Sequence, residues 1–209
     1  MADVEWNIAY DRYCKDFAPY YDSLEREFCQ TLGFVELDPA NGKAFSLTYS
    51  KLLQAVCAEV EVFAQAFAAL TGSSFKMDGG IKVWGAVLSN ACPKLCGRLV
   101  AVPGYGEIAP WAKMGYDLRM NKRGEVSGVL ASGCKTPAWW LAYNRVKNER
   151  STLSENGASH FGDANQKNVL FSLAALFTLE QEFLDTCAQH RCKVDPVRRA
   201  SGLFAPAKS

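Results

Sequence analysis

The chain has only two histidines, no CxxC pair, and no excess of charge of either sign. Each shortage removes a class of function. Lys and Arg total 23 against 22 Asp and Glu, so no global field draws the protein to a nucleic acid or an anionic membrane. Any such contact has to be local. The start, MADVEWNIAYDRYCKDF, is acidic and polar where a signal peptide is basic and then apolar. The longest apolar stretch, around Val169 to Leu179, is interrupted by Ser172 and Thr178 and is too short to span a bilayer. These absences lead to the expectation of a soluble, cytoplasmic protein. At 209 residues it fits a single helical domain that buries its core without metals or disulfides.

Catalytic signatures are equally sparse. There is no GxSxG elbow. The stretch "GCKT" at 133–136 lacks the first glycine and the strand context of a phosphate-binding loop, and "GYGEIAP" lacks the third glycine of a dinucleotide fingerprint. Glu59 and Glu61 are two residues apart on a helix and point apart, which argues against a shared-proton pair. Eight cysteines are spread along the chain, and Cys57 and Cys187 sit in helical patterns where a thiol serves as a small hydrophobe. Cys92/Cys96 and Cys187/Cys192, with His190 inside the second pair, are ligand types for zinc at the wrong spacing. The expectation is reduced thiols, no metal and no cofactor.

What is present is helical periodicity. Between Asp11 and Leu32, Tyr13, Phe17, Tyr20, Tyr21, Leu24, Phe28 and Leu32 recur at threes and fours, with Pro19 dividing or kinking the helix. A loop with Asp38, Pro39, Asn41 and Gly42 follows, ending in hydroxyls that can cap a helix. Leu52, Leu53, Val56, Val60, Phe63 and Phe67 then mark a helix over about 49–70. After the loop "TGSSFKMDGG" the spacing predicts a short helix from Ile81, brief extended segments in "RLVAV" and "GYGEIAPW", and a small hairpin or loop over 113–135. Pro137 suits the first turn of a helix reaching about Ser151. A last helix, over about 164–190, is apolar on nearly every side in its middle, as a central bundle helix is. Residues 193–209 read as a flexible tail. The fold class expected is mainly α: a helical bundle with a small extended or β-hairpin insertion before its third major helix.

The densest chemistry lies in "PAWWLAYNRVKNERS", residues 137–151. Trp139, Ala142, Tyr143 and Val146 form its core stripe. Trp140, Asn144, Lys147, Asn148 and Ser151 form the adjacent stripe, flanked by Arg145 and Arg150. Guanidinium forks, an ammonium and amides together can hold a phosphate, with Trp140 as a stacking face. The same residues can instead satisfy carbonyls at the positive-charge-favouring end of a helix. Glu59 falls on the apolar stripe of its own helix, so it needs a partner, and Arg145, Lys147 or Arg150 is expected to supply it. Lys113, Arg119, Lys122 and Arg123 of the excursion would extend a basic surface.

The stretches "FSLTYSKLLQAVCAEVEV" (45–62), "WWLAYNRVKNERS" (139–151) and "NQKNVLFSLAALFTLE" (165–180) together resemble the HEPN-like superfamily, helical-bundle proteins of bacterial toxin–antitoxin and phage-defence systems. The resemblance implies an all-α bundle, often a homodimer, and in active members metal-independent RNA cleavage by an arginine and a histidine a few residues apart. Here Asn148 and Ser151 follow Arg145, and no histidine lies four to six residues after any arginine of the cluster. Asparagine does not exchange a proton near neutral pH, which leaves His160 as the acid–base candidate beside Arg145. Three readings follow. The first is binding of RNA, another phosphate-bearing ligand or a partner protein with little or no catalysis. The second is a ribonuclease using Arg145 and His160, and the third a structural accessory protein.

Overall fold

The computed structural model describes residues 2–71, 80–120, 122, 126–153, 157 and 159–206. Its N-terminal arm is one long helix in three parts: α1 (Ala2–Arg12), a π-helical turn (Tyr13–Phe17) and α2 (Ala18–Thr31). Proline lacks the N–H that an α-turn needs, and its ring crowds the carbonyl four residues back. The helix answers Pro19 by widening just before it, so the Ala18 N–H bonds to the Tyr13 carbonyl five residues earlier. The helix therefore continues past the proline, and Tyr13, Tyr21, Leu24 and Phe28 are all buried.

Beyond a loop with a 3-10 turn at Pro39–Asn41, Ser46 caps α3 (Leu47–Leu70) by accepting the Tyr49 N–H at 3.0 Å. α3 is the one helix among the described residues long and apolar enough to cross a membrane. Half of its most apolar window is buried within the fold, against α6 above all. α4 (Ile81–Ala91) follows; the loop expected over 72–79 lies outside the described residues. Two small antiparallel sheets come next. β1 (Val100–Val102) pairs with β2 (Gly106–Ile108), and β3 (Tyr116–Met120) pairs with β4 (Val126–Leu130).

The β3–β4 hairpin docks on α4 with little room between backbones. A Cβ at Gly128 would sit 2.0 Å from the Lys82 carbonyl oxygen, and one at Gly85 would sit 3.1 Å from the Tyr116 ring. The hairpin hands the chain to α5 (Ala138–Glu149), with the Tyr116 hydroxyl donating to Thr136 Oγ1 at 2.9 Å. The central helix is α6 (Gln166–Gln189), buried along nearly every face from Val169 to Leu184 and packed against α1, α2, α3 and α5. The architecture is mainly α with a small β insertion ahead of α5.

One expected feature is corrected. Residues 193–206 are not a free tail: a 3-10 turn (Pro196–Arg199) leads to β5 (Ala205–Pro206), which joins β1 as a third strand. The reason is apolar surface, since Leu203 and Phe204 are buried and Phe204 stacks on Phe177 with ring centres 5.4 Å apart. None of the eight cysteines is in a disulfide.

Candidate functional site

α5 is held by a cluster of tryptophans. Trp84 of α4, Trp111, Trp139 and Trp140 meet edge to face, with ring centres 5.2 to 6.2 Å apart. The Trp111 indole donates to the Ala175 carbonyl at 3.1 Å and to Thr178 Oγ1 at 3.0 Å, and the Trp139 indole donates to the Pro110 carbonyl at 2.8 Å. Trp140 is 4 % exposed inside this cluster. It therefore offers no stacking face for a base, and the role expected for it is replaced by core packing: Trp139 and Trp140 together anchor the helix that carries the polar groups.

Those polar groups point out of the core. Asn144 and Arg145 are half-buried; Lys147, Asn148, Glu149 and Arg150 are exposed. Downstream, the chain turns back on itself. Leu153 and Ser159 bridge, the His160 N–H bonds to the Thr152 carbonyl at 3.2 Å, and Ser159 Oγ donates to the Arg150 carbonyl at 2.8 Å. This closure sets the 3-10 turn His160–Asp163 against α5. The result is a junction that neither segment shows alone. Arg145 Nε donates to Asp163 Oδ2 at 2.6 Å, and His160 Nδ1 lies 3.5 Å from the same oxygen. Glu149 Oε2 approaches His160 Nε2 at 3.9 Å. Asp163 is itself braced by its backbone carbonyl, which accepts from the Asn168 amide at 2.8 Å.

The structure thus brings Arg145 and His160 together, fifteen positions apart in the chain, through a carboxylate that sequence reasoning did not single out. Lys147 takes a different contact. Its ammonium stands 5.3 Å from the centre of the Tyr143 ring, and its pKa is raised, first by hydrogen bonding to the Tyr143 hydroxyl and further by the charge of Glu61. Arg119 and Lys122 are exposed on the hairpin, which docks on α4; Arg123 lies outside the described residues.

The expected partner of Glu59 is corrected. It forms no ion pair with Arg145, Lys147 or Arg150 among the described residues; Arg145 is taken by Asp163. Glu61 is the residue whose charge reaches Lys147, while the charge of Glu59 acts on Glu180 of α6. Two positions along a helix rotate a side chain to the far side, so the pair does point apart, and the residue on the core stripe faces the wrong way to meet α5. Burial alone raises the Glu59 carboxyl to about 7.

A second polar centre, absent from any motif, lies on that far side. Glu180 is buried, and Tyr13 donates its hydroxyl to Glu180 Oε2 at 2.9 Å. Burial, offset in part by the Tyr13 hydrogen bond and reinforced by the charges of Glu59, Asp22 and Glu25, lifts its carboxyl to about 8. A sequence signal existed: Glu180 follows Leu176 by four and precedes Phe183 by three, the same apolar-stripe position that drew attention to Glu59.

Comparison of the chain with protein-family models, curated proteins and solved structures finds no match.

Proposed function

We propose that the junction of α5 with the His160–Asp163 turn binds a phosphate-bearing ligand, RNA foremost, in a cytoplasmic HEPN-like helical domain of a defence or toxin system, with little or no turnover. The observation that carries this reading is the convergence of Arg145 and His160 on one oxygen of Asp163, with Lys147 and Arg150 exposed further along α5. A guanidinium already donating to a carboxylate oxygen points where a phosphate oxygen would sit, with the His160 ring beside that same position. Asp163 acts as the ligand's competitor. A phosphate entering the site takes over the guanidinium, Asn144 and Asn148 lie alongside on α5 to add amide hydrogen bonds, and Lys147 and Arg150 contribute charge. The chain's near-neutral balance makes this attraction short-ranged, so binding depends on these few groups.

The test is binding of single-stranded RNA to wild type and to an Arg145→Ala, Lys147→Ala double variant over a salt series. Wild-type affinity is expected to fall as salt rises, and the salt slope of the variant to be shallower by about one for each phosphate contact removed. Asp163→Asn is expected to tighten binding by removing the competing charge. Affinity unaltered by both changes would end the assignment of this junction.

A second reading, metal-independent RNA cleavage, is favoured by one specific contact, the 3.5 Å approach of His160 Nδ1 to Asp163. A carboxylate there orients an imidazole for proton transfer, and Arg145 beside it would stabilise charge on a scissile phosphate. RNA loss without added metal that disappears in both Arg145→Ala and His160→Ala would establish this reading over simple binding.

A further inference from the structure

The C-terminal strap, through residues 197–202, lines one side of a half-open pocket of about 330 Å³ whose other sides are the π-helical turn, α2 and α6. The floor holds Glu180 and the walls hold Tyr13, Tyr21, Phe177, Ala18 and Val197; Asp22 stands exposed beside it. Two buried carboxylates on this cavity have opposite circumstances. Glu25 is saturated: its Oε2 accepts from Tyr21 and, at 2.5 Å, from Ser201 Oγ, and its Oε1 accepts from the Gly202 N–H at 2.7 Å. That carboxylate is a clasp for the strap. Glu180 is different, because Oε1 is buried and has no hydrogen-bond donor among the described residues. An unsatisfied carboxylate oxygen in the interior is costly, and chains rarely keep one where an amide or a leucine would serve.

We propose that this pocket is a binding site for a small organic cation, a primary amine or a guanidinium on a short alkyl body, whose positive end pairs with the Glu180 carboxylate. The charge around the site selects the sign. Facing Glu180 are Asp22 and Glu25 from α2, Glu59 from α3 and the phenols Tyr13 and Tyr21, while among the described lining side chains Arg198 on the strap is the one cation. The walls select the body, since rings and methyls suit an alkyl chain and tyrosine faces attract a cation. A bare metal ion is the poorer fit, because no three carboxylate, imidazole or thiol groups among the described residues are placed to share one. The volume lies at the small-ligand end of binding cavities.

Binding an ammonium or guanidinium ionises Glu180, so each cation bound releases up to one proton to solvent. Affinity then rises with pH, by up to about tenfold for each pH step below the point where the free carboxyl is already ionised. The experiment is isothermal titration of 1,4-diaminobutane and 4-guanidinobutylamine, up to about 10 mM, into the full chain near pH 7, in two buffers of different ionisation heat. 1,4-Butanediol serves as the neutral control. Expected are saturable binding of at least one cation but not of the diol, heats that shift with buffer in the sense of proton release, and at least about tenfold weaker binding in Glu180→Gln. Circular dichroism establishes that the variant is folded, and Glu180→Asp, which keeps the charge, is expected to retain part of the affinity. No saturable binding of either cation, equal affinity in Glu180→Gln, or binding without proton release would each overturn the proposal.

Discussion

Replacing Glu180 by Gln exchanges one interior oxygen for an amide nitrogen and leaves the side-chain volume nearly unchanged. Its consequence is a change in how stability depends on pH. In the folded chain the Glu180 carboxyl titrates at about 8 against an ordinary 4.5, with burial as the principal cause. At pH 4 the acid is protonated in both folded and unfolded chains and nothing is lost. Between 4.5 and about 8 the unfolded chain gives up its proton while the folded chain keeps it, so stability falls as pH rises. Above about 8 both are ionised and the loss is complete. The full span is on the order of 5 kcal/mol, since each pKa step is about 1.36 kcal/mol. The amide of Gln carries a separate cost of roughly 1–3 kcal/mol for a buried unsatisfied donor, and that cost does not depend on pH. The two stability curves therefore cross: Glu180→Gln is the less stable protein near pH 5 and the more stable one near pH 8.5. Urea unfolding followed by far-ultraviolet circular dichroism across that range reads the crossing directly. At 2–4 °C per kcal/mol for a chain of this size, the gap at the alkaline end is roughly 10 °C in Tm. Curves that run parallel from pH 5 to 8.5 would refute the claim that Glu180 is held neutral in the folded protein.

Trp140→Ala tests packing against stacking: the unfolding free energy is expected to drop by roughly 3–5 kcal/mol, with RNA affinity per folded molecule unchanged. A selective loss of affinity at full stability would reinstate Trp140 as a ligand-stacking side chain. Gly128→Ala places a methyl 2.0 Å from the Lys82 carbonyl oxygen and is expected to cost roughly 1–3 kcal/mol as the hairpin is pushed off α4. An unchanged melting temperature would show that the two backbones do not approach so closely.

The helices were legible because their signal is local. The apolar spacing that predicts a helix over 49–70 is met by α3, and the hydroxyls ahead of it do include its cap, Ser46. The last long helix is central, as its all-round apolar middle implied, and the excursion is a hairpin. The N-terminal helix was half legible. Its period was clear, while the π-helical turn that carries it past Pro19 depends on backbone geometry that side-chain spacing does not encode. The tail was misjudged because Leu203 and Phe204 are too few to make a periodic pattern, and their burial comes from a groove built by other elements.

The polar chemistry divides in the same way. The sequence by itself determined which faces of α3 and α5 carry charge, since a helix turns by a constant angle per residue. It placed Glu59 on a core-facing stripe and set Arg145, Lys147 and Arg150 at the polar end of α5. Only the tertiary structure decided what each of them meets. Asp163 reaches Arg145 through a loop closure, and Tyr13, Glu25 and Glu180 are drawn together from helices more than 150 positions apart. A carboxylate's neighbours are chosen by which helices pack and at what rotation, and that choice follows from the combined burial of many apolar side chains. It leaves no mark at the carboxylate's own position in the chain, where only the demand for a partner can be read.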